Sequence, residues 1–440
     1  MRKAGIIRGI LLWSLLLLLS GCSGTTLGSD VEGLLRAPPL SGETGAVQKA
    51  LNSYLGVSAT LKYPASGDFL SPFLFGDWDG DGVQEAAVLY TSDTAGSNVC
   101  LAVLESRTGG WQVAQTAEGL AGEVESVSYA HLWDVDSLQI LVGYGSAQGD
   151  SYLVVYQYLD GTLSAILKQN YTDMVVTDIT GHTEQGIQDL VLTVPSEGEN
   201  GGFNLQLLTS VDGEFRSAQT LGIGEGYAGG CAGLYAGSNK GEPYLVVDVW
   251  TSGAANNLAS VIILYNAETG FLQTYLPASV SDVADLYRIT RRYDSALVSQ
   301  DIDGNGTIDI PTEVTNGGVL TSPMDKQLHF LLWRDFSGTE SASAQFGLYD
   351  GEHRFFLALP DSMQGNIQLR SNASNTGWLL CSRDGVTVYW ELRVVPLSDE
   401  SEGYQRIAII GSQQLQARSA EKYPGLTLED IIKNLRLLPQ

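Results

Sequence analysis

Five hairpin patterns with glycine turns recur along this chain, and they restrict its fold more than any other feature. Each combines an apolar, β-branched run, a short turn and a second run, as in "SYLVVYQYLDGTLSAIL". A glycine turn between two β-rich runs is the usual signal of a β-hairpin. Successive turns are separated by 51, 52, 57 and 81 residues, and their glycines are Gly110, Gly161, Gly213, Gly270 and Gly351. The sequence therefore predicts a series of similar antiparallel sheets.

The length of the repeat favours a β-propeller among the all-β architectures. A repeat of about 50 residues has room for about four strands, the content of one blade, whereas a solenoid coil needs only about 20 to 30 residues. Charged residues make up 17% of the chain and 51 of 440 residues are glycine, which suits strands joined by tight turns. We predict a propeller of about five to seven blades over residues 57–360. A β-sandwich made by duplication is the alternative.

The segments that flank the repeats have different patterns. Residues 43–56 are predicted to form an amphipathic helix, because apolar residues recur at helical spacing at Val47, Ala50, Leu51, Tyr54 and Leu55. Residues 361–440 are predicted to be a β-rich C-terminal region that ends in a short helix. Thr427 and Asp430 resemble a capping box at the start of that helix.

A cluster of acidic residues in "DWDGDGVQE" has the spacing of a cation-binding loop. The carboxylates alternate along the loop, and Gly82 allows the chain to bend between them. An EF-hand is excluded, because its twelfth position would be Val88, inside an apolar run typical of a strand. Ca²⁺ takes six to eight oxygen ligands. The predicted ligands are the side chains of Asp77, Asp79, Asp81 and Glu85 and the main-chain carbonyl of Val83.

A second loop, "DIDGNGTID", repeats this layout. Its predicted ligands are Asp301, Asp303, Asn305, the carbonyl of Thr307, and Asp309. A solvated turn is the alternative for both loops, since Asp and Gly are common in turns. Related segments at 132–144, 176–194 and 233–250 lack part of the ligand set, so we predict no metal there. The expected cofactor is one or two structural Ca²⁺ ions.

The motif D-x-D-G-[DN]-G-x-x-[DE] resembles the calcium loops of FG-GAP repeats, which are also called VCBS repeats. Phe75-Gly76 before the first aspartate fits this resemblance. The resemblance covers roughly residues 70–360, although only two of the five repeats carry the full motif. It implies a β-propeller similar to that of integrin alpha subunits, with a structural role for the calcium ions.

The N-terminal residues "MRKAGIIRGILLWSLLLLLSGCSG" combine a basic start with a short apolar stretch. The tetrapeptide that ends at Cys22 resembles the lipobox of bacterial lipoproteins, which implies diacylation of this cysteine. We therefore predict a signal peptide over 1–21, a lipidated tether over 22–42 and a lipid-anchored, extracytoplasmic location at the cell membrane. An ordinary secretory signal is the alternative. Together with the repeats, these features resemble repeat-containing lipoproteins of Gram-positive bacteria.

The charge and the motifs of the chain narrow the classes of function. Its formal net charge of −26 disfavours nucleic acid as a partner. No catalytic residue stands out, and Cys231 in "GGCAG" precedes a strand pattern instead of the helix that a nucleophile elbow needs. We predict a non-enzymatic binding or adhesion module for an envelope protein or a glycan. The alternatives are a carbohydrate-active lyase or hydrolase, or a purely structural envelope lipoprotein.

Overall fold

The structure, a computed structural model, is all-β and describes thirteen stretches of the chain. They are 42–92, 97–146, 149, 151–181, 186–196, 202–211, 213–224, 228–251, 257–314, 328–337, 342–372, 377–423 and 425–438. Residues 1–41, with the predicted signal peptide, most of the tether and Cys22, lie outside these stretches. No helix within these stretches is long and apolar enough to span a membrane.

Six antiparallel sheets follow one another along the chain. Sheet 1 contains β1 (Thr60–Leu61), β2 (Phe73–Gly76), β3 (Glu85–Thr91), β4 (Cys100–Arg107) and β5 (Gly110–Glu118). Sheet 2 contains β6 (Glu123–Ala130), β7 (Gln139–Gly145), β8 (Ser151–Leu159) and β9 (Thr162–Asn170). Sheet 3 contains β10 (Asp173–Thr177), β11 (Asp189–Pro195), β12 (Phe203–Val211) and β13 (Glu214–Ile223).

The other three sheets are similar in size. Sheet 4 contains β14 (Ala228–Asn239), β15 (Glu242–Thr251), β16 (Leu258–Asn266) and β17 (Phe271–Tyr275). Sheet 5 contains β18 (Asp309–Glu313), β19 (Leu328–Asp335), β20 (Ala342–Asp350) and β21 (Phe355–Leu359). Sheet 6 contains β22 (Ile367–Ser371), β23 (Trp378–Ser382), β24 (Val388–Pro396), β25 (Gln405–Ile410) and β26 (Gln413–Ser419). The last strand, β27 (Leu435–Leu437), pairs with β21 at the edge of sheet 5.

The predicted glycine hairpins join β4 to β5, β8 to β9, β12 to β13, β16 to β17 and β20 to β21. Four of the five turn glycines have positive φ, between 72° and 106°, a conformation that residues with a Cβ rarely adopt. The fifth turn differs, because Arg354 has the positive φ of 54° there and Gly351 does not. The hairpin prediction is confirmed at all five positions.

Each sheet packs on the next one in the chain. Buried clusters join sheets 1 and 2, sheets 2 and 3, sheets 3 and 4, and sheets 5 and 6. Ile310 of sheet 5 belongs to the same cluster as the residues of sheet 4. Outer strands meet outer strands, as β5 meets β9 and β13 meets β17. Among the described residues, no cluster combines sheet 1 with sheet 6.

The two ends of the chain complete the outer sheets. Helix α1 (Gly42–Leu55) agrees with the predicted helix and buries Val47 and Leu51 against the face of sheet 1 that points away from sheet 2. Residues 361–440 are β-rich, as expected, and contain helix α3 (Leu428–Asn434). The prediction that the region ends in this helix is wrong, because β27 follows it and pairs with β21 of sheet 5. Thr427 and Asp430 form the full capping box. This region nevertheless continues the series as sheet 6, because its apolar residues pack on sheet 5.

A buried ion pair fixes the segment between sheets 4 and 5. This segment contains helix α2 (Val283–Thr290), which the sequence analysis did not predict. Just after it, the guanidinium of Arg292 lies 2.7 Å from the carboxylate of Asp248 on β15, and both side chains are fully buried. Ser299 donates its N–H and its hydroxyl to the same carboxylate, at 2.7 Å each. The chain is thus held against sheet 4 until it enters the second acidic loop.

Candidate metal centres

The first acidic loop, residues 77–85, folds around the side chain of Asp77. This loop connects β2 to β3. The carboxylate of Asp77 accepts hydrogen bonds from the N–H groups of Gly80 and Gly82, both at 2.9 Å. The two glycines have φ of 76° and 85°, a left-handed conformation that brings their N–H groups toward one side chain. The alternating pattern of Asp and Gly therefore produces a tight ring, not an open turn.

Three carboxylates converge in this ring. One oxygen each from Asp77, Asp79 and Glu85 lies within 4.8 Å of the others. Glu85 is only 2% exposed, and its Oε2 accepts the N–H of Trp78 at 2.9 Å. Burial raises the pKa of Glu85 to about 7, and burial is also the main reason why the pKa of Asp79 is raised. Ionised carboxylates in such a setting need a nearby positive charge.

The converging carboxylates do not include Asp81, which the sequence also predicts as a ligand. Asp81 accepts the N–H of Val83 at 2.7 Å through Oδ1 and is exposed. The side chain of Val83 is also exposed, so its predicted contribution through the main-chain carbonyl stays a prediction.

The second loop, residues 301–309, matches the first contact for contact. Asp301 accepts the N–H groups of Gly304 at 2.7 Å and Gly306 at 2.8 Å, and these glycines have φ of 79° and 87°. Asn305 takes the place of Asp81, and its Oδ1 accepts both the N–H and the hydroxyl of Thr307. One oxygen each from Asp301, Asp303 and Asp309 lies within 4.8 Å of the others.

Asp309 gives the strongest indication of a ligand. It is fully buried at the start of β18, and its Oδ2 accepts the N–H of Ile302 at 3.3 Å. Its Oδ1 is also buried and has no hydrogen-bond partner among the described residues. Burial raises the pKa of this carboxylate to about 7. A buried, unpaired carboxylate oxygen costs about 1–3 kcal/mol or more, which a coordinated cation would offset.

Each loop touches a neighbouring sheet. In the first loop, a Cβ on Gly80 would lie 2.1 Å from the main-chain oxygen of Asp136, so only glycine fits against sheet 2. In the second loop, the carbonyl of Gly306 accepts the N–H of Ser238, and the N–H of Ile308 donates to the hydroxyl of Tyr244 at 2.6 Å. Both loops thus contact an adjacent sheet.

The corresponding turns of sheets 2 and 3 close on their own donors. Gln139 begins β7, as Glu85 begins β3, and its Oε1 accepts the N–H of Leu132 at 2.7 Å. Asp189 begins β11 and accepts both the N–H and the hydroxyl of Thr180. In four sheets, an acid or amide side chain at the first residue of the strand thus accepts a main-chain N–H from near the start of the preceding loop. Sequence reasoning missed this feature, although the first residues of these strands were its signal.

Cys231 is buried within β14, with no helix after it, and burial raises the pKa of its thiol to about 12. This arrangement is that of an inert core thiol.

A cleft of about 560 Å³ lies across sheets 2, 3 and 4. Trp133 and Tyr265 supply aromatic rings to its lining. Thr209 lines it as well, and the buried hydroxyl of this residue has no hydrogen-bond partner among the described residues.

Comparison with known proteins does not assign the chain to a family. No protein-family model matches it, and no curated protein matches it. A levansucrase variant of B. megaterium is similar over 76% of this chain and 92% of its own, with 11% identity and a TM-score of 0.24. A hypothetical selenium-binding protein of Sulfolobus tokodaii is similar over 70% of this chain and 66% of its own, with 8% identity and a TM-score of 0.33. Likenesses this weak carry no argument about fold or function.

Proposed function

We propose that this protein is a calcium-stabilised binding or adhesion module, anchored by lipid on the outer side of the cell membrane. The observation that carries the calcium assignment is the agreement between the two acidic loops. Both use an aspartate held by two glycine N–H groups, and both bring three carboxylates together, one of them buried at the start of a strand. Oxygen ligands without nitrogen or sulfur suit a hard cation such as Ca²⁺.

The six sheets are, in this proposal, the blades of a propeller. Support comes from their order, because each sheet of four or five antiparallel strands packs on the next one along the chain. The contacts between β5 and β9 and between β13 and β17 place the outer strands of neighbouring sheets side by side. Six blades lie within the range that the sequence predicts.

The lipid anchor at Cys22 rests on the sequence alone. The net charge of −26 supports a partner other than nucleic acid.

A glycan is the ligand that the cleft across sheets 2 to 4 favours. Aromatic rings such as those of Trp133 and Tyr265 pack on the apolar faces of sugars.

Thermal melting with added Ca²⁺ tests the metal sites. We expect the melting temperature to rise and then saturate, because a ligand at 100 times its Kd stabilises the folded state by about 2.7 kcal/mol per site. Asp77→Asn and Asp301→Asn should each remove part of the rise, and the double variant should remove all of it. An unchanged melting temperature of the wild type at millimolar Ca²⁺ would overturn the proposal.

Binding to immobilised neutral polysaccharides tests the cleft. Trp133→Ala should abolish retention, whereas Trp111→Ala on sheet 1, away from the cleft, should leave it unchanged. Equal retention of the two variants would refute a role of this cleft in glycan binding.

A further inference from the structure

A second cleft, of about 640 Å³, lies where helix α2 meets sheet 5. Three arginines line this cleft. Such a concentration of positive charge is unusual in this chain, which has 24 Lys and Arg residues but 50 Asp and Glu residues. The lining residues that matter for its chemistry are Arg288, Arg291, Tyr293, Thr312, Glu313 and Arg334.

Two of the three guanidinium groups have no carboxylate partner among the described residues. Arg288 is paired with Asp285, with 2.6 Å between Nη2 and Oδ1. Arg291 lies over the ring of Tyr293, 5.3 Å from its centroid. Arg334 is half-buried and donates through Nε to the hydroxyl of Thr312 at 3.2 Å. Among the described residues, neither Arg291 nor Arg334 has a carboxylate within ion-pair distance. A guanidinium offers five N–H donors, so both can bind an anion.

The remaining polar group of the cleft is an acceptor. Glu313 accepts the main-chain N–H of Tyr293 at 2.9 Å through Oε1, which holds its carboxylate at the cleft. A carboxylate has about four acceptor positions, so Glu313 can also accept from the hydroxyl groups of a ligand. The ring of Tyr293 is 46% exposed and offers an apolar face beside Arg291.

We propose that this cleft binds a uronic acid unit of an acidic glycan, with its carboxylate on Arg291 and Arg334 and a hydroxyl on Glu313. Guanidinium groups match carboxylates in geometry and charge, whereas the acceptor and the exposed ring match the rest of a sugar. A bare inorganic anion would use the arginines but would leave Glu313 and most of the volume without a role. The inference rests on the proposed binding role of the protein, and it does not depend on the calcium sites or on the cleft across sheets 2 to 4.

Titration calorimetry with three probes tests the inference: galacturonate, galactose and sulfate. The purified protein should bind galacturonate saturably, and galactose at least about tenfold more weakly, since it lacks the charged hydrogen bonds. Sulfate should also bind more weakly than galacturonate. Arg334→Gln and Arg291→Gln should each weaken galacturonate binding by about tenfold or more. Arg107→Gln, an exposed position on sheet 1, is the matched control and should bind as the wild type does.

Two results would overturn the inference. One is galacturonate binding that is absent or that survives both arginine substitutions. The other is sulfate binding as tight as that of galacturonate, because the acceptor and the ring would then contribute nothing. Arg291 is exposed, so its variant is expected to fold even if Arg334→Gln does not. Loss of galacturonate binding with retained binding of neutral polysaccharide would refute this cleft alone and leave the proposed function standing.

Discussion

The loops at 77–85 in sheet 1 and 132–139 in sheet 2 occupy the same place in their sheets, but they satisfy their polar groups in opposite ways. In the first, the oxygens of three acidic side chains converge, and burial raises the pKa of Glu85. In the second, a neutral Gln139 accepts the N–H of Leu132 and donates through Nε2 to Ser137 at 2.9 Å. Asp134 accepts the N–H and the hydroxyl of Ser137. The second loop is therefore complete without a ligand.

This difference shows what the acidic residues contribute. The fold needs an oxygen at the first position of the strand, since Glu85, Gln139 and Asp309 all accept a main-chain N–H from the start of their loop. The amide meets that need without charge. Additional carboxylates bring repulsion and desolvation, which a divalent cation would reverse. The acidic loops thus indicate metal binding and are not required for the turn itself.

The largest effect is expected from breaking the buried ion pair between Arg292 and Asp248. This pair holds the segment that leads into the second acidic loop. Arg292→Leu leaves the buried carboxylate of Asp248 without a positive charge beside it, so we expect a loss of about 3–5 kcal/mol in the free energy of unfolding, measured by urea denaturation. The calcium response of the loop at 301–309 should be lost and that at 77–85 retained. Arg288→Leu, which breaks an exposed pair, should cost less than about 1 kcal/mol. Equal losses in the two variants would contradict this explanation.

An intermediate effect is expected when the complete loop of sheet 2 receives a charge. Gln139→Glu places a carboxylate at a fully buried position and removes the donor to Ser137, so we expect a loss of about 1–3 kcal/mol at neutral pH. Urea denaturation measures it. Gln112→Glu, at an exposed position of β5, is the control and should stay within about 0.5 kcal/mol of the wild type. An unchanged free energy of unfolding in Gln139→Glu would show that this loop accepts a negative charge without a cation.

The smallest expected effect is a change in pH dependence when Glu85→Gln makes the first loop resemble that of sheet 2. The folded-state pKa of Glu85, about 7, lies above its ordinary value of 4.5, so the fold favours the protonated form. Its stabilisation in metal-free protein is complete below pH 4.5 and is lost as the pH rises toward 7. We expect the variant to lack this loss and to melt about 1–2 °C higher at pH 7 in a chelator. Parallel pH profiles of wild type and variant would contradict it.

The sequence was most informative where contacts are local. Helix α1, the five hairpins and the capping box at Thr427 were predicted, and each joins residues a few positions apart. Sheet 6 was expected only as β-rich sequence, because its place in the series depends on packing against sheet 5. The network around Asp248 was not predicted either, since it joins residues 44 to 51 positions apart.

The sequence by itself determined where the chain turns and where oxygen atoms are concentrated, because turn conformation and loop spacing depend on neighbouring residues. Only the tertiary structure decided which of these oxygens are buried, as those of Glu85 and Asp309 are. It also decided that Arg291 and Arg334, from separate elements, line one cleft. The sequence determines where charged residues stand along the chain, whereas tertiary packing determines the free energy of burying them.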